Sequence, residues 1–328
     1  MLPKSFPYKR IVLIADTIST INAEKIHEYD DLEKTDTSTI LYLKETLESL
    51  GLDVQIYSHP KQLGDNAAKH INDLVFSIYG GSGSRNRMAL IPAVAETYGI
   101  SFIGPDTYGR IMCQDKVVSK DLAQQAGFCV PSHRILRFES ELPLVKLPAP
   151  KVVIKPLLEG SSIGISQHSL TDNLEIANSL IKTLILRFNQ PVLVEEFIPG
   201  REVSLNFIQS QSGYEWTFSE IQVKGKPQYF DNNVFDAEEK LFRNLDRKVV
   251  TINEYLEPSI IQNAENLVSF IGKTGYGRID GKLYNNIFFF LELTPDAWIS
   301  PKGAFAGSFT NLGKTYREVI ANILKAMT

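Results

Sequence analysis

Lys151-Val152-Val153-Ile154-Lys155-Pro156-Leu157-Leu158-Glu159-Gly160-Ser161-Ser162-Ile163-Gly164-Ile165 is the stretch from which the rest of the chain can be read. Lys151 to Lys155 is a short run rich in β-branched residues and predicts a strand, which Pro156 closes because it has no N–H to give to a ladder. Ile163-Gly164-Ile165 predicts a second short strand. Between them, Gly160 and Gly164 let the backbone turn tightly and approach a ligand closely. Ser161 and Ser162 add hydroxyl donors, and successive backbone N–H groups can face an anion. Lys155 places a compact positive charge at the strand end, the form in which lysine meets phosphate oxygens. The Gly-Lys-Ser/Thr order of a Walker A loop is absent. On these residues alone, a plain turn between strands is the commoner reading.

Working outward, Asn173–Phe188 predicts a long helix and Val192-Leu193-Val194-Glu195 a strand, which with Lys151–Lys155 suggests a small α+β unit. Beyond it, strands are expected near Glu202–Ile208, Trp216–Val223, Arg278–Tyr284 and Phe288–Leu293, with helices at Pro258–Lys273 and Lys314–Ala326. Upstream, Asp115 to Ala126 looks helical, with Gly127 to end it. The first hundred residues alternate strand and helix. Ile11-Val12-Leu13-Ile14-Ala15, Val54–Tyr57, Leu74–Ile78 and Phe102-Ile103 are the strands; Ile40, Leu43, Leu47 and Leu50 recur at helical spacing before Gly51, and a second helix lies near Met88–Tyr98. That alternation argues for a parallel α/β sheet. The polar stretch Asp16–Ser38 reads as loop.

Composition excludes several classes. The formal net charge is −4 with no long basic run, so nucleic acid is a poor partner. Cys113 and Cys129 form no metal-ligand pattern and are expected as reduced thiols. Ile11–Ala15 is too short to span a membrane, and no apolar leader segment precedes it. A cytoplasmic protein is expected.

Taken in order, Asp115-Lys116, then Val153-Ile154-Lys155-Pro156 with Glu159-Gly160-Ser161-Ser162-Ile163-Gly164, then Val192–Ile198 with Gly200-Arg201-Glu202, then Gly277-Arg278-Ile279-Asp280 and Leu291-Glu292 resemble the blocks of the D-alanine–D-alanine ligase family within the ATP-grasp superfamily. No block decides the matter singly; the resemblance runs from about Ile11 to Met327 and is weakest over the first seventy residues. It implies a three-domain ATP-grasp fold, α/β and α+β, with an N-terminal parallel α/β domain over residues 1–105, a central subdomain over 106–195 and a C-terminal subdomain over 196–328. ATP would lie between the last two. Lys116, Lys155 and Lys240 would contact its phosphates, with Glu159, Gly160, Ser161 and Ser162 forming the loop beside them. Backbone groups of Glu195, Glu196, Phe197 and Ile198 would read the adenine edge, and Glu202 would accept from the ribose hydroxyls.

Asp280 and Glu292 fall on consecutive strands, and paired carboxylates make an oxygen-rich site suited to Mg²⁺. The family's third ligand, an asparagine, is Thr294 here. Arg278 precedes Asp280 by two, which puts both on one strand face; by resemblance it stabilises the tetrahedral intermediate, and Ser161 helps orient the loops that close the site. The implied reaction joins two small molecules. A carboxylate takes the γ-phosphoryl group to give an acyl phosphate, and an amine then displaces phosphate. A homodimer through the N-terminal domain would fit the family.

The departures lie on the amino-acid side. Tyr79-Gly80 stands where the family has His-Gly, and Gly83-Ser84-Arg85-Asn86 replaces its Gly-Glu-Asp-Gly. The N-terminal glutamate that holds the first substrate's ammonium has no convincing counterpart among Asp16 to Glu28. Lys240 is kept, but Leu241 replaces the tyrosine after it. The turn that holds the second substrate's carboxylate, Pro-Gly-Met-Thr, gives way to Pro295-Asp296-Ala297-Trp298-Ile299-Ser300. Tyr79, Gly80, Asp296 and Trp298 are therefore expected to shape a different pocket, Trp298 as an aromatic wall and Asp296 as a partner for a cationic amine. A pair other than two D-alanines is expected. The alternatives are a D-alanine–D-alanine ligase with a divergent pocket and an ATP-binding protein without turnover. A dehydrogenase is excluded, because Ala15-Asp16-Thr17-Ile18-Ser19 follows the first strand where a Gly-x-Gly-x-x-Gly turn would stand.

Overall fold

The computed structural model describes residues 6–17, 32–81, 84–237, 246–301 and 303–326. The expectations for Lys240 and Leu241 lie outside them. The chain opens with β1 (Arg10–Ile14), α1 (Thr37–Ser49), β2 (Asp53–Tyr57), α2 (Pro60–Asp65), β3 (Leu74–Ser77), α3 (Leu90–Tyr98) and β4 (Ser101–Phe102). These strands form a parallel sheet in the order β2-β1-β3-β4. Ile11 through Ile14 are all buried, as an apolar run in a strand covered on both faces requires. Asp36 caps α1 by accepting from the Thr39 amide at 2.8 Å, and Gly51, at φ +85°, ends it.

α4 (Thr107–Gln114) and α5 (Lys116–Gln125) follow, then β5 (His133–Leu136), β6 (Val152–Pro156), β7 (Leu170–Thr171), α6 (Leu174–Phe188) and β8 (Val192–Glu196). The strands make an antiparallel sheet in the order β5-β8-β6-β7. Ala177, Ile181 and Leu184 of α6 pack on Val152, Ile154, Val192 and Val194. One expectation is corrected here. Ile163–Ile165 is not a strand: it belongs to a turn in which the amides of Ile163 and Ile165 donate to the carbonyls of Gly160 and Ser162, with Ser161, Ser162 and Gly164 at left-handed φ of 50°, 61° and 76°. β7 is the short strand instead, pairing with Val152 and Val153.

The last part contains β9 (Arg201–Ser210), β10 (Gly213–Val223), β11 (Arg247–Thr251), α7 (Pro258–Ile271), β12 (Tyr276–Tyr284), β13 (Ile287–Thr294), α8 (Ala304–Thr310) and α9 (Tyr316–Lys325). Its antiparallel sheet runs β11-β10-β9-β12-β13. α7 covers one face, through Ala264, Leu267 and Val268 against Phe207, Phe218 and Ile279; Met112, Cys113 and Ala123 from α4 and α5 share that core. Phe305, Phe309, Val319 and Ile323 of α8 and α9 join a second core with Ile11, Leu13 and Phe76 of the N-terminal sheet, so the N-terminal unit rests on the C-terminal helices. No helix among the described residues is long and apolar enough to cross a membrane.

Candidate functional site

The period of two along β12 puts Arg278, Asp280 and Lys282 on one face of the large sheet. Register then pairs Asp280 with Glu292 and Arg278 with Thr294. Arg278 Nε lies 2.7 Å from Asp280 Oδ1, the Ser204 hydroxyl donates to the same oxygen at 2.6 Å, and the Thr294 hydroxyl lies 3.5 Å from Oδ2. Burial works against the Arg278 charge, but Asp280, Glu292 and Glu202 hold its pKa above the ordinary value. The oxygen donors Asp280, Glu292, Thr294 and Ser204 are the set a hard divalent cation takes, so the residues present fit Mg²⁺.

Lys155 closes β6 on the face opposite to α6 and meets Glu195 across the sheet at 2.7 Å. Lys120, not singled out from the sequence, pairs with the other oxygen of the same carboxylate and donates to the Leu291 carbonyl at 3.1 Å. Its signal was the spacing Lys116-x-x-x-Lys120, which puts both lysines on one face of α5. Lys120 is fully buried and Lys155 nearly so. Burial would raise the carboxyl of Glu195, yet Lys120 and Lys155 hold it down to about 2; burial in turn pushes Lys120 down to about 8. Lys116 Nζ donates to the carbonyls of Leu157 and Glu159. Burial lowers its pKa, while Glu292 opposes that shift and Lys155 adds to it. Lys155 and Glu292 thus lie near enough to Lys116 to act on its charge.

The expected nucleotide hinge has its own features. The side chain of Glu195 is committed to the lysines, whereas Glu196 accepts from the Ser132 amide at 3.1 Å. Ile198 is buried. Glu202 is 3.1 Å from Lys282 Nζ, a buried ammonium that also stands 5.7 Å from the centre of the Phe197 ring. In the Gly-Ser loop, Ser162 Oγ donates to the Phe235 carbonyl at 2.6 Å, and Ser161 precedes it with a left-handed φ of 50°.

On the amino-acid side several of the expected residues are engaged within the protein. Tyr79 is 8% exposed and packs in the N-terminal core with Val12, Ile14 and Ile91. The amides of Gly80 and Gly81 both donate to Asp16 at 2.8 Å, and a Cβ at Gly80 would stand 2.4 Å from the Glu33 carbonyl oxygen; Gly80 serves close loop packing. Asp296 is ion-paired with Arg110, both side chains at 5% exposure or less, so its charge is not offered to an amine. Trp298 is 43% exposed, and its indole N–H donates to Thr35 Oγ1 at 3.0 Å. A functional candidate was also missed. Glu33, just beyond the Asp16–Glu28 window, accepts from the Gly160 amide at 2.5 Å. Nothing local marked it, since its partners lie far along the chain.

Comparison with known proteins agrees with this geometry. The sequence model of the family described as D-ala D-ala ligase C-terminus matches residues 137–325. The D-alanine–D-alanine ligase of Thermotoga petrophila is 24% identical over 302 residues, 87% of this chain and 89% of the relative; that of Xylella fastidiosa is 23% identical over 86% and 90%. Among solved structures, Bacillus anthracis D-alanine–D-alanine ligase complexed with ATP superposes with a TM-score of 0.74 at 15% identity, covering 97% of both chains. The VanG D-Ala:D-Ser ligase of Enterococcus faecalis gives 0.66 at 18% identity, over 98% of this chain and all of the other. With more than half of its length matched by the family model, the chain belongs to the D-alanine–D-alanine ligase family of ATP-grasp ligases.

Proposed function

We propose that the protein joins a carboxylate to an amine at the expense of ATP, and that its substrates are amino-acid-type molecules other than two D-alanines. The observation that carries this reading is a contrast between two sets of residues. The phosphate-facing residues Lys116, Lys120 and Lys155 and the Arg278–Asp280–Glu292 group converge, while the amino-acid side is rebuilt around Trp298, Asp296–Arg110 and Glu33.

In this reading Lys116 and Lys155 neutralise phosphate charge, the main demand of phosphoryl transfer. Asp280 and Glu292, with Thr294 or Ser204, would hold Mg²⁺, which would supply charge screening for the phosphate oxygens. The Arg278 guanidinium, beside Asp280, supplies positive charge for the oxygen that gains charge when the amine attacks. Trp298 is the exposed aromatic surface for the second substrate. That VanG is a D-Ala:D-Ser ligase supports a second site that varies within this fold.

The test is phosphate release with ATP and Mg²⁺ across a matrix of D- and L-amino-acid pairs, with product masses read in parallel. Turnover that needs two substrates, with a product lighter by one water than their sum, is expected. Turnover with D-alanine alone would return the chain to the parent activity. No turnover, with the protein still stabilised by ATP, would leave a nucleotide-binding protein.

A further inference from the structure

The Gly-Ser loop is held from outside its own unit. Arg87 stands in the turn after β3 and is 5% exposed. Its Nε and Nη2 donate to Glu33 Oε2 at 3.0 and 2.5 Å. Nη2 also reaches Glu159 Oε2 at 2.9 Å and the Leu158 carbonyl at 3.4 Å. The other oxygen of Glu33 takes the Gly160 amide at 2.5 Å, and the other oxygen of Glu159 takes Gln190 Nε2 at 2.7 Å. A Cβ at position 160 would lie 2.4 Å from Glu33 Oε1, so any larger residue there would displace that carboxylate oxygen.

One guanidinium therefore fixes the loop twice, directly at Glu159 and through Glu33 at the amide of Gly160. The rigid fork of an arginine can serve two carboxylates at once; a lysine's point charge lacks that geometry. Ser161 and Ser162, next in the chain, have left-handed φ, a conformation that persists only where surroundings impose it. Glu33 and Glu159 are 13% and 15% exposed at their side chains, so solvent screens the clasp little.

We infer that Arg87 is a positioning residue for residues 159–164: it delivers the amides and hydroxyls of that loop to the anionic group the cleft takes. The functional half of this statement rests on reading the loop as phosphate-handling. The clasp also ties the loop to the turn after β3, on the amino-acid side, so the two halves of the site are held in one arrangement.

The deciding experiment is amide hydrogen exchange at Gly160 and the residues after it, without nucleotide, in wild type, Arg87→Ala, Arg87→Lys and Glu33→Gln. Exchange at Gly160 is expected to be at least about tenfold faster in Arg87→Ala, as loss of a charge-assisted hydrogen bond implies, and intermediate in Arg87→Lys. Methylguanidinium, but not methylammonium, should restore protection to Arg87→Ala; a side chain needed only for its bulk would show no such difference. Glu33→Gln, which keeps the arginine, gives the same readout if Arg87→Ala does not fold. Unchanged exchange in folded Arg87→Ala or Glu33→Gln would overturn the proposal. Calorimetric titration with Mg²⁺ and adenylyl imidodiphosphate separates the two layers. A wild type that binds no nucleotide, with faster exchange in the variants, would sink the phosphate reading and uphold the clasp. Nucleotide binding with unchanged exchange would sink the clasp alone.

Discussion

Replacing Glu195 with glutamine keeps the side-chain volume and removes the carboxylate that Lys120 and Lys155 share. All three groups are at most 7% exposed, so water recovers little of the lost attraction. Removing one partner of a buried ion pair typically costs about 3–5 kcal/mol. The displacement of the carboxyl from 4.5 to about 2 corresponds to about 3 kcal/mol at about 1.4 kcal/mol per tenfold. Glu195→Gln is therefore expected to lose about 3 kcal/mol of unfolding free energy at neutral pH.

The pH dependence has a definite sign. A carboxyl whose pKa is depressed by folding stabilises above its unfolded value and loses that contribution as pH falls towards its folded one. The advantage of wild type over the variant should thus be full at neutral pH and shrink as pH falls from 4.5 towards about 2. Lys120 acts at the other end. Its pKa falls from 10.5 to about 8 on folding, so the folded chain binds fewer protons between those values and stability rises with pH there. In the variant, with the anion gone, that rise should begin at lower pH. Urea unfolding of both proteins across this range measures each point. A difference below about 1 kcal/mol at neutral pH, the size of an exposed pair, or a gap that does not narrow in acid, would refute the reasoning.

Three further outcomes follow from other contacts. Asp296→Ala leaves Arg110 buried without its carboxylate and should cost about 3–5 kcal/mol, whereas Arg110→Met with Asp296→Leu should recover most of it; a double-mutant cycle by thermal melting shows no recovery if the pair is not coupled. Gly80→Ala puts a Cβ 2.4 Å from the Glu33 carbonyl, which should cost about 1–3 kcal/mol and expose the amides that Asp16 holds. Exchange at residues 80 and 81 as slow as in wild type would speak against it. Asp280→Asn should weaken Mn²⁺ binding, read by electron paramagnetic resonance with nucleotide present, by at least about tenfold; unaltered binding would remove Asp280 from the metal site.

Much of the fold was legible because its signals are local. The buried run Ile11–Ile14, the helical spacing of Ile40, Leu43 and Leu47, and the period of two that sets Arg278 and Asp280 on one face depend on neighbours within a turn or a strand. Lys155 could be picked out because a charge closing an apolar strand before a glycine is visible in the residues themselves. The Ile163–Ile165 segment misled because β-branched residues favour a strand only where backbone torsions permit one, and the left-handed Ser161, Ser162 and Gly164 are set by what the loop touches.

What only the tertiary structure decided is which charge meets which. Glu33 reaches Gly160 across 127 positions, Lys120 of α5 meets Glu195 of β8, and Asp296 is paired with Arg110. No periodicity encodes such pairs. Coulombic attraction falls with distance in space and strengthens with burial, and both are fixed only when the three sheets pack together. The sequence by itself therefore determined most of the strands and the family. The packing determined which of its carboxylates and arginines remain open to a ligand.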